Sequence, residues 1–235
     1  MSTRNFLLGL SGSFGLAWLF VVVVPFFKMR AIEPIPLAAD GEEFAGYYYP
    51  KREGRVVDGA KIYAENGCYI CHTQLVRPTY AGNDMYRSDA GGLQSDEVRG
   101  DTRRETNAFD FAGEKFAQIG LSRMGPDLSN LARRVEVDPN RTVAPEEWLY
   151  LHLYDARIFP DRRKSKCPPM PFLFTEQEPY GVSPTGQLRL ANRDGKQLVP
   201  NADARALVSY LMSLRKDQPV PPSLNFASAG SDAAN

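Results

Sequence analysis

Cys68-Tyr69-Ile70-Cys71-His72 concentrates the soft and nitrogen donors of this sequence, which holds three Cys and two His in all. Thiols three residues apart share one side of a helical turn. There both can form thioethers with the vinyl groups of a haem, and the adjacent His can offer its imidazole to the iron. CxxCH is the spacing of c-type haem attachment, so the single motif predicts one haem c (iron) per chain. Two rival chemistries use the same residue types. A thioredoxin-like CxxC needs a preceding strand in a βαβ unit, whereas the residues before Cys68 carry a helical pattern. A zinc site could draw on Cys68, Cys71, His152 and Cys167 as a Cys3His set, but it leaves His72 without a role.

An iron held by His72 needs a ligand on its other face, and the menu is Met85, Met124, Met170, Met212, His152 and Cys167. Met212 falls on an apolar helix stripe and reads as core. Met85 sits in a polar loop without packing context, and Met124 adjoins a Gly-Pro turn. Met170 lies in Cys167-Pro168-Pro169-Met170-Pro171-Phe172, a segment that proline stiffens. Met170 is therefore the expected sixth ligand, with Cys167 and His152 as alternatives. His152, among Leu151, Leu153 and Tyr154, also reads as a hydrogen-bonded, partly buried side chain, or as one that bonds a haem propionate or a partner.

The elements that would position these groups follow from periodicity. Phe6 to Phe27 carries no charge and as a helix reaches about 33 Å, enough for a hydrocarbon core of about 30 Å. It is longer than the apolar block of a cleaved signal peptide, so a retained anchor in membrane lipid is expected. Basic residues flank both ends (Arg4; Lys28 and Arg30), so charge alone leaves the orientation open. Haem is attached outside the cytoplasm, which predicts a cytoplasmic N-terminus and an extracytoplasmic haem domain. Gly54 to Asn66 reads as a helix with Val56, Ala60 and Tyr63 on one side, ended by Gly67. Gly125-Pro126-Asp127-Leu128 reads as a turn into a short helix through Arg134, and Glu146 to Asp155 as a helix after Pro145. Ala202 to Leu214 carries an Asn201 cap and the stripe Leu207, Tyr210, Leu211, Leu214. Pro78 to Glu105 reads as a surface loop, and the Pro/Ser/Ala-rich chain from Lys216 on as disordered. Hydrophobic residues at 43% and charged residues at 24% fit a folded protein, and zero net charge gives no sign of nucleic-acid binding. An odd Cys count argues against a disulfide framework.

Gly59 and Tyr63 before CxxCH, a C-terminal helix with Tyr210, and Gly125-Pro126-x-Leu128 between them resemble the cytochrome c family. There the two helices cross at the small residue. The resemblance implies that the Pro126 carbonyl accepts the His72 Nδ1–H and so orients the ligand. Gly67 to Pro78, Arg123 with Gly125 to Leu128, and Trp148 with His152, Leu153 and Arg157 are similar to the monohaem subunit (subunit II) of cbb-type cytochrome c oxidases. That resemblance implies a mainly α chain, in which a single N-terminal transmembrane helix precedes a cytochrome c-like helical domain with long loops. The expected division is 1–5 cytoplasmic, 6–27 anchor, 28–54 linker, 55–216 periplasmic haem domain and 217–235 disordered tail. The implied place is the bacterial inner membrane. The implied role is electron relay without a catalytic site of its own. Its partners would be a polytopic haem–copper catalytic subunit and a second, multihaem cytochrome c subunit. In the family an axial Met directly precedes a Pro in Ser-x-Met-Pro. Here Ser165-Lys166-Cys167-Pro168 puts Cys167 in that register and Met170 three residues later. An anchored subunit of nitric oxide reductase, a free-standing anchored cytochrome shuttle and a zinc-stabilised periplasmic adaptor are the rival readings.

Overall fold

The computed structural model describes residues 2–36, 46–48, 54–87, 90–94, 100–112, 114, 116–178, 196–217 and 220–221. The chain divides into two units, Met1–Tyr48 and Tyr49–Asn235.

The first unit is one continuous helix, α1 (Thr3–Trp18), a π-helical turn (Leu19–Val23) and α2 (Val24–Arg30). The π turn has a local cause. Pro25 cannot donate, so the ladder is interrupted, and the Val24 N–H reaches five residues back to the Leu19 carbonyl. Ser2 caps the start, its Oγ accepting from the Asn5 N–H, and Lys28 and Arg30 complement the dipole at the end. The helix is long and apolar enough to cross a membrane, and none of its residues is buried. It runs three residues beyond the expected Phe6–Phe27 at either end, so the linker begins after Arg30 rather than at Lys28. Beyond it the Tyr48 N–H bonds the Ile35 carbonyl at 2.7 Å. Most of the linker lies outside the described residues.

The second unit is mainly helical and is built on the crossing of α3 (Arg55–Glu65) with the last helix, α7 (Ala202–Met212). Gly59 makes that crossing possible. A Cβ there would lie 2.0 Å from the Ala206 carbonyl oxygen and 2.7 Å from the Tyr210 Cβ. Tyr63, one turn on, sets its ring 5.4 Å from that of Tyr210, and both are fully buried. The Leu207, Tyr210, Leu211, Leu214 stripe is buried throughout. Each such side chain removed from water contributes roughly 1.5–3 kcal/mol. The Asn201 side chain caps α7 by accepting from the Ala204 N–H at 2.8 Å.

Between the crossing helices lie a single helical turn, α4 (Cys68–Cys71), then α5 (Leu131–Val137) and α6 (Pro145–Asp155). Helix α5 runs past the expected end at Arg134, and ahead of its start Asp127 accepts from the Ser129 N–H at 2.8 Å. A two-stranded antiparallel sheet, β1 (Phe174–Gln177) with β2 (Gln197–Pro200), pairs Phe174 with Pro200. It joins the proline-rich loop after α6 to the start of α7, where the Asn201 N–H bonds the Leu173 carbonyl at 3.0 Å.

Two expectations change. Lys216 and Asp217 are buried rather than part of a disordered tail. The Lys216 N–H bonds Asn130 Oδ1, and its ammonium meets Asp110, which Arg104 also holds. Residues 222–235 lie outside the described residues. The segment after Pro78 is not simply a surface loop, since Asp84, Met85 and Arg104 are buried.

Candidate functional site

Gly67, at φ 67° and ψ 22°, ends α3 and turns the chain directly into α4. The left-handed conformation is one that glycine adopts at no steric cost. The Ile70 N–H bonds the Gly67 carbonyl and the His72 N–H bonds the Cys68 carbonyl, each at 3.0 Å. Cys68, Cys71 and His72 thus issue from one closed helical turn. All three cysteines are free thiols. Burial pushes the Cys68 thiol up to about 12, so it is held as the neutral thiol.

The segment from Ile119 to Leu128 is fastened along this turn. The Leu121 N–H bonds the Tyr69 carbonyl (2.8 Å), the Gly125 N–H that of Cys71 (2.8 Å) and the Leu128 N–H that of Thr73 (2.7 Å). The Ser122 hydroxyl donates to the Ile70 carbonyl at 2.6 Å. This brings Pro126 to His72, whose Nδ1 lies 2.8 Å from the Pro126 carbonyl oxygen. A carbonyl only accepts, so the proton sits on Nδ1 and the Nε2 lone pair is left for another partner. Gly125 makes room for the ring: a Cβ there would lie 2.2 Å from Cε1 and 2.6 Å from Nδ1. Burial lowers the His72 pKa against the opposing pull of Pro126, which favours the neutral, ligating form.

A charged clamp holds the chain leaving the motif. Asp127 accepts from the Thr73 hydroxyl (2.5 Å) and the Leu75 N–H (2.9 Å). Arg123 donates to Thr73 Oγ1 (2.9 Å) and pairs with Asp84 at 2.7 Å. Arg77 grips the same carboxylate at 2.9 Å, and the Tyr210 hydroxyl donates to Gln74 Oε1 at 2.9 Å. Burial works against the charge on Asp84, but Arg123 and Arg77 overcome it and hold the carboxyl far below the usual range. Arg77, Arg123 and Asp127, which lie in the segments that carry the family resemblance, meet here. Their hub, Asp84, was not among them; a lone Asp in a polar loop carries no periodicity or motif.

The remaining candidates separate clearly. Met170 is buried, and its N–H is shared between the carbonyls of Leu153 (3.0 Å) and Tyr154 (3.2 Å) near the end of α6. It belongs to the same apolar cluster as Leu128, against which Cys68 packs. Cys167 is partly exposed, with its N–H on Ser165 Oγ at 3.2 Å, and burial raises its thiol pKa. Met124 is 70% exposed, its sulfur 4.0 Å from that of Cys71. Met212 packs on the core as expected, whereas Met85 is buried against Gly91 rather than lacking packing context. Among the described residues no group of three or more His, Cys, Asp and Glu is placed to hold a metal ion. Cys68, Cys71, His152 and Cys167 therefore do not gather as a zinc site.

His152 stacks on Trp148, with centroids 4.9 Å apart and planes at 20°. Trp148 also stacks on Phe159, and the Arg162 guanidinium lies 4.7 Å from its ring. Burial first, then Arg162 and His72, push the His152 pKa down to about 4.

Two adjacent thiols and an imidazole with a fixed tautomer are the donor set that covalent haem attachment uses. No family model and no curated protein matches this chain.

Proposed function

We propose that the second unit is a cytochrome c-like domain. It would carry one c-type haem on Cys68 and Cys71, and the chain would serve as the electron-relay subunit of a cbb-type cytochrome c oxidase. The observation that carries the reading is the His72 Nδ1–Pro126 bond of 2.8 Å. It fixes the ring so that only Nε2 remains for iron, and it joins two motifs more than fifty residues apart that zinc or thiol chemistry does not require. The Gly59 crossing, at the place expected of a cytochrome c domain, supports the fold.

Bound there, the haem supplies one-electron exchange at iron. The chain's own residues do the rest. Cys68 and Cys71 tether, Pro126 and Gly125 orient His72, and Met170 offers a buried thioether from a loop pinned to α6. A thioether raises the potential relative to a thiolate, which suits delivery toward oxygen and favours Met170 over Cys167. His72 and Met170 would be the residues that hold the iron, so the chain would serve electron exchange rather than oxygen binding. Helix Thr3–Arg30 would anchor it in the bacterial inner membrane, with the N-terminus cytoplasmic and the haem unit periplasmic. The partners would be a polytopic haem–copper subunit and a multihaem cytochrome c.

Purification of the tagged chain from membranes tests this. The expected product is red and brings a polytopic haem–copper oxidase subunit with it. A colourless chain, or a red one that travels alone or with a nitric oxide reductase, contradicts the assignment.

A further inference from the structure

Lys216 and Arg104 are two buried cations that share one carboxylate. Their side chains are 4% and 2% exposed, and Asp110 accepts from both. Burial pushes the Lys216 pKa down to about 8 in spite of Asp110, and Arg104 pushes the same way. Beside this group lies a cavity of about 20 Å³, lined among others by Gln74, Thr106, Asp110, Ser129, Arg215 and Lys216. A buried water needs about 10–15 Å³, so the cavity takes one guest of that size. The wall presents donors. Ser129 Oγ and Gln74 Nε2 are buried with no hydrogen-bond partner among the described residues, on side chains of residues only 7% and 3% exposed. The Lys216 ammonium can donate three bonds and among the described residues makes one, to Asp110. The acceptor side chains of the wall are already taken. Asp110 receives the Arg104 guanidinium, the Asn107 N–H at 3.0 Å and Lys216. Gln74 Oε1 receives the Tyr210 hydroxyl and Thr106 Oγ1 the Val76 N–H, each at 2.9 Å. A buried water needs partners for its own hydrogens as well as its lone pairs, and these side chains offer it few acceptors. An anion only accepts, and it balances the surplus positive charge.

We propose that this cavity binds one monatomic anion, of which chloride is the representative, held by the Lys216 ammonium, the Ser129 hydroxyl and the Gln74 amide N–H. Arg215 is the outermost of the charged groups in the wall, 32% exposed and paired with Glu136, and it sets a positive charge on the side facing solvent. The bound anion ties the chain beyond α7, through Lys216, to Ser129 ahead of α5 and to Gln74 beyond the CxxCH turn. It uses none of the residues assigned to the haem.

The test uses the full detergent-solubilised chain as wild type, Lys216→Met and Ser129→Ala. Urea unfolding is followed while sodium chloride replaces sodium gluconate at constant ionic strength, so that general screening stays fixed. Gluconate is too large for the cavity. A ligand bound only by the folded state stabilises it in proportion to its occupancy, and over about 1 to 100 mM chloride the folding equilibrium constant of the wild type is expected to rise about tenfold. Lys216→Met removes the surplus charge and should abolish the rise. Ser129→Ala removes one donor and should move the rise to higher chloride by several-fold; this variant decides the matter if Lys216→Met does not fold. Crystals of the wild-type chain grown in sodium bromide should show an anomalous peak in the cavity, within reach of Lys216 Nζ and Ser129 Oγ. Equal midpoints in chloride and gluconate overturn the proposal. So does a chloride effect that survives unchanged in the variants, which would place the ion elsewhere, and so does a water in the cavity of the bromide crystals.

Discussion

Gly125→Ala places one methyl group against the ring that the whole site depends on. The added Cβ would stand 2.2 Å from His72 Cε1, 2.6 Å from Nδ1 and 2.8 Å from Nε2. Carbon atoms pack at about 3.5–4.0 Å, so the imidazole must retreat by about 1 Å or more. The Nδ1–Pro126 oxygen distance is 2.8 Å; the same retreat carries it out of hydrogen-bonding range. The lost bond costs about 0.5–1.5 kcal/mol and the overpacking about 1–3 kcal/mol. Together they predict about 2–4 kcal/mol of destabilisation, read as a fall in denaturation midpoint at constant m-value. If His72 ligates iron, the same variant raises the midpoint potential, because an imidazole without its Nδ1 acceptor is a poorer donor to ferric iron. Urea titration followed by circular dichroism measures the first effect, and a redox titration of the haem measures the second. A variant with wild-type stability and potential would refute the reasoning from Gly125 to His72.

Gly59→Ala meets the Ala206 backbone carbonyl, which cannot swing aside. It is expected to cost at least about 3 kcal/mol and to lower the melting temperature clearly; scanning calorimetry checks this. Met170→Ala should remove the weak long-wavelength sulfur-to-iron band of the ferric form and open the reduced haem to carbon monoxide, whereas Cys167→Ser should leave both properties unchanged. Lys216 and Arg104 hold the Asp110 carboxyl at about 2 against a burial effect that would raise it. Asp84 is held lower still. A folded-state pKa below the unfolded value means that the unfolded chain binds more protons in acid. Stability should therefore be complete above about pH 4 and fall as pH drops toward 2, with about 2 kcal/mol of the loss due to Asp110. Urea midpoints against pH should show this fall in wild type and less of it in Asp110→Asn.

The parts legible in the sequence were those with a repeat or a fixed spacing. The Leu207–Leu214 stripe, the Gly67 stop, the Asn201 cap and the Pro145 start each follow from one local rule, and each stands where that rule puts it. The contact of Pro126 with His72 was anticipated only through the family resemblance, since a Gly-Pro pair alone reads as an ordinary turn. What sequence could not supply was pairing between distant polar residues. Asp84 becomes the hub of Arg77 and Arg123 only because Ile119–Leu128 folds back along α4. Lys216 looked like the start of a tail, yet it is buried because Asp110 waits more than a hundred residues upstream. The β1–β2 pair was missed because four-residue strands amid polar, Pro-containing chain give too short a period to read. The zinc set looked plausible by residue count alone; the fold keeps those four side chains from converging.

Mass spectrometry of the acid-denatured chain purified from membranes tests the central claim most directly. The expected result is one haem added to the chain, with the extra mass on the peptide that carries Cys68 and Cys71 and absent after Cys68→Ser with Cys71→Ser. An intact chain at its bare sequence mass, with both thiols free to alkylate, would contradict it.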